Sequence, residues 1–180
     1  MLHFNGKIEK AIENYKRAIK NKSDYVEAHN NLGVALQSLG KLEEAADSFK
    51  KAIEIKHDYS ESYNNLGNIF ITLNKIEEAV KIYQKAIKIK SDYFEAHSNL
   101  GAALDKLGKF EESITHYQEA IKIKPDFEKA NNNLAASFVA QGRFDEAISF
   151  YNKTLKLNPN KTQYAINANL LIPTIPKSNE

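Results

Sequence analysis

An all-α solenoid of antiparallel helix pairs is the fold class that the sequence predicts, on three observations. A four-residue phrase, Asn-Asn-Leu-Gly or a near copy, returns at Asn30–Gly33, Asn64–Gly67, Ser98–Gly101 and Asn132–Ala135, always 34 residues on. Within each period, apolar and small residues fall at helical spacing in two separate segments. Between the segments stands Gly40, Gly108 or Gly142, with Asn74 in the same place in one unit. Glycine, and after it asparagine, accepts the left-handed conformation just past a helix end. Such a unit cannot bury its apolar face alone, so it stacks on its neighbours and places function on a surface.

Taken in order, residues 1–25 read as a partial unit: Lys7 to Lys20 as a second helix, with only Leu2 to Phe4 left of the first. Full units follow at 26–59, 60–93, 94–127 and 128–161. In the first of them Ala28, Leu32, Ala35, Leu36 and Leu39 mark one helix, and Leu42, Ala45, Ala46, Phe49, Ala52, Ile53 and Ile55 the other. Asp24, Asp58, Asp92 and Asp126 precede the first helices, and Glu27, Glu61 and Glu95 follow at capping-box spacing, which predicts side-chain N-caps. Pro125 and Pro159 stop the growth of second helices. Tyr164, Ala165, Ala168 and Leu171 share one face, so a capping helix is expected over 162–172 and an irregular tail over 173–180, after Pro173.

Composition excludes several function classes. Lysine and arginine number 25 against 23 aspartates and glutamates, leaving no basic field for a phosphate backbone, and Arg17 and Arg143 are the only arginines. Nucleic acid is not an expected partner. Without cysteine there is no disulfide framework, thiolate metal site or cysteine nucleophile. No apolar run reaches the roughly 20 residues of a membrane span, and the start lacks a leader pattern, so no membrane partner and a cytoplasmic location are expected.

Residues that resemble chemistry have plainer readings. Glu43-Glu44, Glu77-Glu78, Glu111-Glu112 and Asp145-Glu146 recur at helix starts, where adjacent side chains point about 100° apart. They are solvated surface, and no catalytic residue is assigned. His29, His97, His57 and His116 are spaced too irregularly for a zinc ligand set, so packing or surface roles, no metal and no cofactor are expected. Tyr25, Tyr59, Tyr93 and Phe127 could form a base-stacking row, but their place at each inter-repeat turn favours packing.

The Leu-Gly of the phrase, Ala45 and Ala79 (Ser113 in the third unit), the aromatic four residues on (Phe49, Tyr83, Tyr117, Tyr151) and then Ala52, Ala86 and Ala120 form a pattern. Through it the chain resembles the tetratricopeptide repeat family over about residues 1–161. That resemblance implies a right-handed superhelix whose first helices line a concave groove. His29, Tyr63, His97 and Asn131 depart from the family's tryptophan and should weaken packing locally. Ala96 to Leu100 and the asparagine row further resemble the repeat region of proteins similar to protein O-linked N-acetylglucosamine transferase.

Asn31, Asn65, Asn99 and Asn133 occupy one position in successive first helices. Leu32, Leu36 and Leu39 mark the packed side, whereas Glu27, Asn31, Val34 and Ser38 follow the rhythm of another face. The resemblance places that face in the groove. Neighbouring helices lie about 8–10 Å apart and an extended chain advances roughly 3.3 Å per residue, so such asparagines would meet about every third residue of a ligand. A carboxamide pairs with a peptide N–H and C=O at once. Asn30, Asn64 and Asn132 thicken the row and Asn68 lies beside it, giving eight candidate peptide-binding residues. The competing reading is that Asn-Asn-Leu-Gly is ordinary repeat consensus copied by duplication.

The expected function is a non-enzymatic protein-interaction scaffold holding a protein or extended peptide segment, with replacement of Asn65 and Asn99 barely moving the melting temperature. The alternative is the substrate-recognition part of a longer O-GlcNAc transferase-like glycosyltransferase. The face at the partial first unit is a candidate for self-association. Groove positions carrying asparagine, with Lys129 alone in the last unit, argue against a clamp for acidic chaperone tails.

Overall fold

The computed structural model describes residues 2–157, 166–168 and 170. Leucine, alanine and isoleucine at three- and four-residue spacing give each segment one apolar stripe, and each stripe becomes a helix. The helices are α1 (Leu2–Asn21), α2 (Val26–Ser38), α3 (Leu42–Ile55), α4 (Ser60–Thr72), α5 (Ile76–Ile89), α6 (Phe94–Lys106), α7 (Phe110–Ile123), α8 (Glu128–Ala140) and α9 (Phe144–Leu157). No strand occurs among the described residues. Leu2 to Phe4 do not form a separate remnant but run straight into α1. The turns after α2, α6 and α8 place Gly40, Gly108 and Gly142 at φ near +70°, and Asn74 takes the same conformation at φ 58°.

Each pair α2–α3, α4–α5 and α6–α7 packs around one aromatic ring. A Cβ added at Gly67 would stand 2.5 Å from Tyr83 Cε1, and Gly33 and Gly101 are equally close to Phe49 and Tyr117. Here glycine is present because the ring lies against the helix backbone. In the fourth pair Ala135 takes this place, and it is fully buried opposite Tyr151. The core continues along the axis, since its buried groups run on from one pair into the first helix of the next.

One expectation about helix starts is corrected. The residues preceding the helices are Tyr25, Tyr59, Tyr93 and Phe127, one position after the aspartates, and none makes a side-chain cap. Backbone bonds close these turns instead, as where the Tyr59 N–H donates to the Lys56 carbonyl at 3.2 Å. A further tether comes from the residues at the tryptophan position. His29 Nε2 meets the Ser23 carbonyl at 2.9 Å, His97 Nε2 that of Ser91 at 3.1 Å, and Asn131 Nδ2 that of Pro125 at 3.0 Å. These departures hold the turn between units, which offsets the loss of a larger ring. The capping helix expected over 162–172 and the tail over 173–180 lie mostly outside the described residues. Within them, Ile166 to Ala168 and Leu170 are helical and Ala168 is buried.

Candidate functional site

The helices α2, α4, α6 and α8 stand side by side, each touching the next. Their shared face carries the asparagines, and the structure separates them into two groups. Asn30, Asn64 and Asn99 are buried. Asn31 and Asn132 are exposed, and Asn65, Asn68 and Asn133 are half-buried.

The buried carboxamides bind one another across helices. Asn65 Nδ2 donates to Asn30 Oδ1 at 3.1 Å, and Asn99 Nδ2 donates to Asn64 Oδ1 at 2.9 Å. Thus the second asparagine of one phrase reaches the first asparagine of the phrase before. Ser62 Oγ also donates to Asn30 Oδ1, and Asn68 Oδ1 accepts both Asn99 Nδ2 at 3.2 Å and the Tyr83 hydroxyl at 2.7 Å. Apart from the Tyr83 bond, these join residues more than 30 apart in sequence, so helical periodicity could not reveal them. Asn99 is therefore a joint between helices, so its replacement is now expected to lower the melting temperature rather than spare it.

A break comes at α8. Ser98 stands where Asn30 and Asn64 stand, and its hydroxyl is buried without a hydrogen-bond partner. Lys129 Nζ instead donates to Asn99 Oδ1 at 2.7 Å. Although Lys129 is exposed as a residue, its ammonium is drawn against α6, and lost hydration lowers its pKa. Asp105 takes over the bridging: its carboxylate accepts the Tyr117 and Ser137 hydroxyls at 2.8 Å, and also that of Ser113. Burial first, and then the Asp105 charge, push the Tyr117 hydroxyl far above its ordinary pKa, so it stays a donor.

Along the start of the groove helices, tyrosines and glutamates alternate. Burial and then Glu61 and Glu27 raise the pKa of Tyr59; burial, then Glu95 and Glu61, raise that of Tyr93 to about 12. Lys22, Lys56 and Lys90 lie over the rings of Tyr25, Tyr59 and Tyr93 at 5.6, 5.6 and 5.1 Å. The rings thus pack at the turns and already hold a cation.

Two hollows open on the asparagine face. One of about 310 Å3 is lined by Asn68, Thr72, Asn99, Ala102, Lys106 and Lys129, among others. A smaller one of about 230 Å3 lies between α1 and α2 and includes Tyr15, Asn31, Val34 and Ser38. An apolar hollow of about 410 Å3 among α7, α8 and α9 holds none of the eight asparagines.

The histidines depart from their expected isolation, because His97 Nδ1 and His116 Nδ1 approach to 3.2 Å. The Ser91 carbonyl can only accept, so His97 carries its proton on Nε2 and its Nδ1 accepts from His116. Burial and then His97 lower the pKa of His116, against the weaker pull of Glu112 and Glu119. No group of three or more histidine, aspartate or glutamate side chains fit to hold a metal occurs among the described residues. Nor is any helix among them long and apolar enough to cross a membrane.

Comparison with known proteins agrees with this architecture. The tetratricopeptide repeat model matches residues 26–59, 94–127 and 128–161, and related repeat models match 1–40, 67–108 and 48–81. No curated protein matches the chain in sequence. Among solved structures, MamA is 28% identical with a TM-score of 0.78, covering 90% of this chain and 95% of its own. YrrB, described as a TPR protein with an unusual peptide-binding site, is 21% identical with a TM-score of 0.74, covering 89% of this chain and 82% of its own. A TPR protein of Thermus thermophilus is 21% identical with a TM-score of 0.73, covering 96% and 94%.

Proposed function

Because the chain belongs to the tetratricopeptide repeat family, we propose that it is a protein-interaction scaffold that holds an extended peptide segment against α2, α4, α6 and α8. The observation that carries this reading is the polar hollow of about 310 Å3 on the asparagine face, where Asn68, Asn99, Lys106 and Lys129 converge. Donors and acceptors there suit a peptide backbone of many sequences.

The division among the asparagines assigns their roles. Asn30, Asn64 and Asn99 set the spacing of the helices from within. Asn31 and Asn132, both exposed, with Asn133, the Asn65 oxygen and the Asn68 amide at partial exposure, are the groups that meet the ligand, while the Asn65 amide and the Asn68 oxygen bond to neighbouring helices. YrrB, of the same fold, has a peptide-binding site, which is consistent with this reading. Cytoplasmic residence belongs to the same reading.

Asn31→Ala combined with Asn65→Ala tests it. Calorimetric titration with a peptide recovered by pull-down should show affinity lowered by about 1–3 kcal/mol, from the loss of two amide contacts. Unchanged affinity would remove the asparagines from the site. The repeating asparagines also favour a second reading, in which this array recognises substrate for a longer glycosyltransferase-like protein. A stop codon directly after Glu180 in the gene would end that reading.

A further inference from the structure

The repeat position at the mouth of the groove reverses sign once. It is Glu27 on α2, Glu61 on α4 and Glu95 on α6, but Lys129 on α8. None of these four side chains is in an ion pair among the described residues, although seven ion pairs form elsewhere on the surface. Lys129 does not stand alone, because Lys106 lines the same hollow and no carboxylate lines it. At the other end, Glu27, Glu61 and Glu95 hold one repeat position on α2, α4 and α6, each of which touches the next. The carboxylates therefore form a continuous row beside the asparagines, and the ammonium groups close it.

On the reading that this groove holds an extended segment, we propose that its partner is a charge-segregated segment. Lysines or arginines at about every third residue lie along Glu27, Glu61 and Glu95, and a carboxylate sits between Lys106 and Lys129. The spacing follows from helices about 8–10 Å apart and roughly 3.3 Å per extended residue. Backbone pairing to carboxamides works in either chain direction, because each carboxamide both donates and accepts. Charge alone then decides which end of the segment lies at α2 and which at α8. The Lys129 ammonium, drawn against α6 and in no ion pair among the described residues, also discriminates, since a carboxylate placed there meets attraction whereas a basic residue meets repulsion.

Fluorescence polarisation on the full chain tests this with three labelled peptides. One is KSSKSSKSSDSD, the second has the same composition in scrambled order, and the third is all serine. The segregated peptide is expected to bind about tenfold tighter than the scrambled one, with the advantage shrinking as salt is raised. Lys106→Glu with Lys129→Glu should weaken the segregated peptide about three- to tenfold more than it weakens the serine peptide. Both substituted side chains reach the solvent, and circular dichroism checks that the helices persist. If the serine peptide binds and the segregated one binds no better than the scrambled one, the charge inference is overturned while the groove reading survives. If no peptide binds, both fall.

Discussion

The α4–α6 and α6–α8 junctions use the same repeat positions and hold together by different chemistry. At α4–α6 every bridging group is neutral: Asn99 donates to Asn64 and Asn68, and Tyr83 of α5 holds Asn68 in place. At α6–α8 a serine replaces the accepting asparagine and is left without a partner, while Lys129 and Asp105 supply the links. A carboxamide can give and receive, so one residue type repeated along the array satisfies both sides of each joint. Once the acceptor is lost, neighbouring positions must bring in groups that only donate or only accept. The last junction is thus the one whose bonds carry formal charge.

The largest expected effect strikes the charged joint. Asp105→Ala strands the hydroxyls of Tyr117 and Ser137 and leaves Ser113 only the Phe110 carbonyl, and urea unfolding should show a loss of about 2–4 kcal/mol. Hydrogen exchange should rise first in α8 and α9, and uniform exchange along the array would show that the joint is not separable. Next comes Gly67→Ala, which drives a methyl into the Tyr83 ring and should cost about 1–3 kcal/mol. The reverse change in the last pair, Ala135→Gly, should cost only about 1 kcal/mol from helix propensity. Equal costs would mean that both pairs are packed alike.

Ser98→Asn sharpens the comparison by restoring the missing acceptor. A gain of about 0.5–1.5 kcal/mol in thermal unfolding is expected if Asn133 reaches it as Asn99 reaches Asn64. Any loss of stability would mean that α6 and α8 lie too close for the larger side chain.

The smallest effect concerns pH. His116 has a pKa below its ordinary value in the folded chain, so below about pH 6.5 the unfolded chain binds more protons. Stability from this group is complete above that pH and declines as pH falls towards the folded pKa. A drop in melting temperature of about 2–4 °C between pH 7 and 5 is expected, and it should be smaller in His116→Gln.

The repeat, the helix pairs and the glycine turns were legible because they are local: each needs only spacing within some 14 residues of helix. Which face holds Asn31 was legible for the same reason. Cross-helix bonds were not, because Asn65 to Asn30 and Asn99 to Asn64 depend on which unit stacks where and on carboxamide orientation. The aspartate caps failed since the turn closes through backbone carbonyls and through His29, His97 and Asn131, a role that helix propensity does not encode. The recurrence of a nitrogen-bearing polar side chain four places into three units, His29, His97 and Asn131, was the signal that could have shown it.

The buried asparagine bonds also bear on how such arrays grow. Each bond spans one repeat plus one residue, so a copied unit arrives with its own donor and finds an acceptor already in place on the unit before it. The unit carrying Ser98 offers no such acceptor to its successor. Inserting copies upstream of α6 therefore leaves every joint intact, whereas any unit grafted after α7 must bring the equivalents of Lys129 and Ser137 with it. In this molecule the joints before α6 are interchangeable, and the one that follows Ser98 is not.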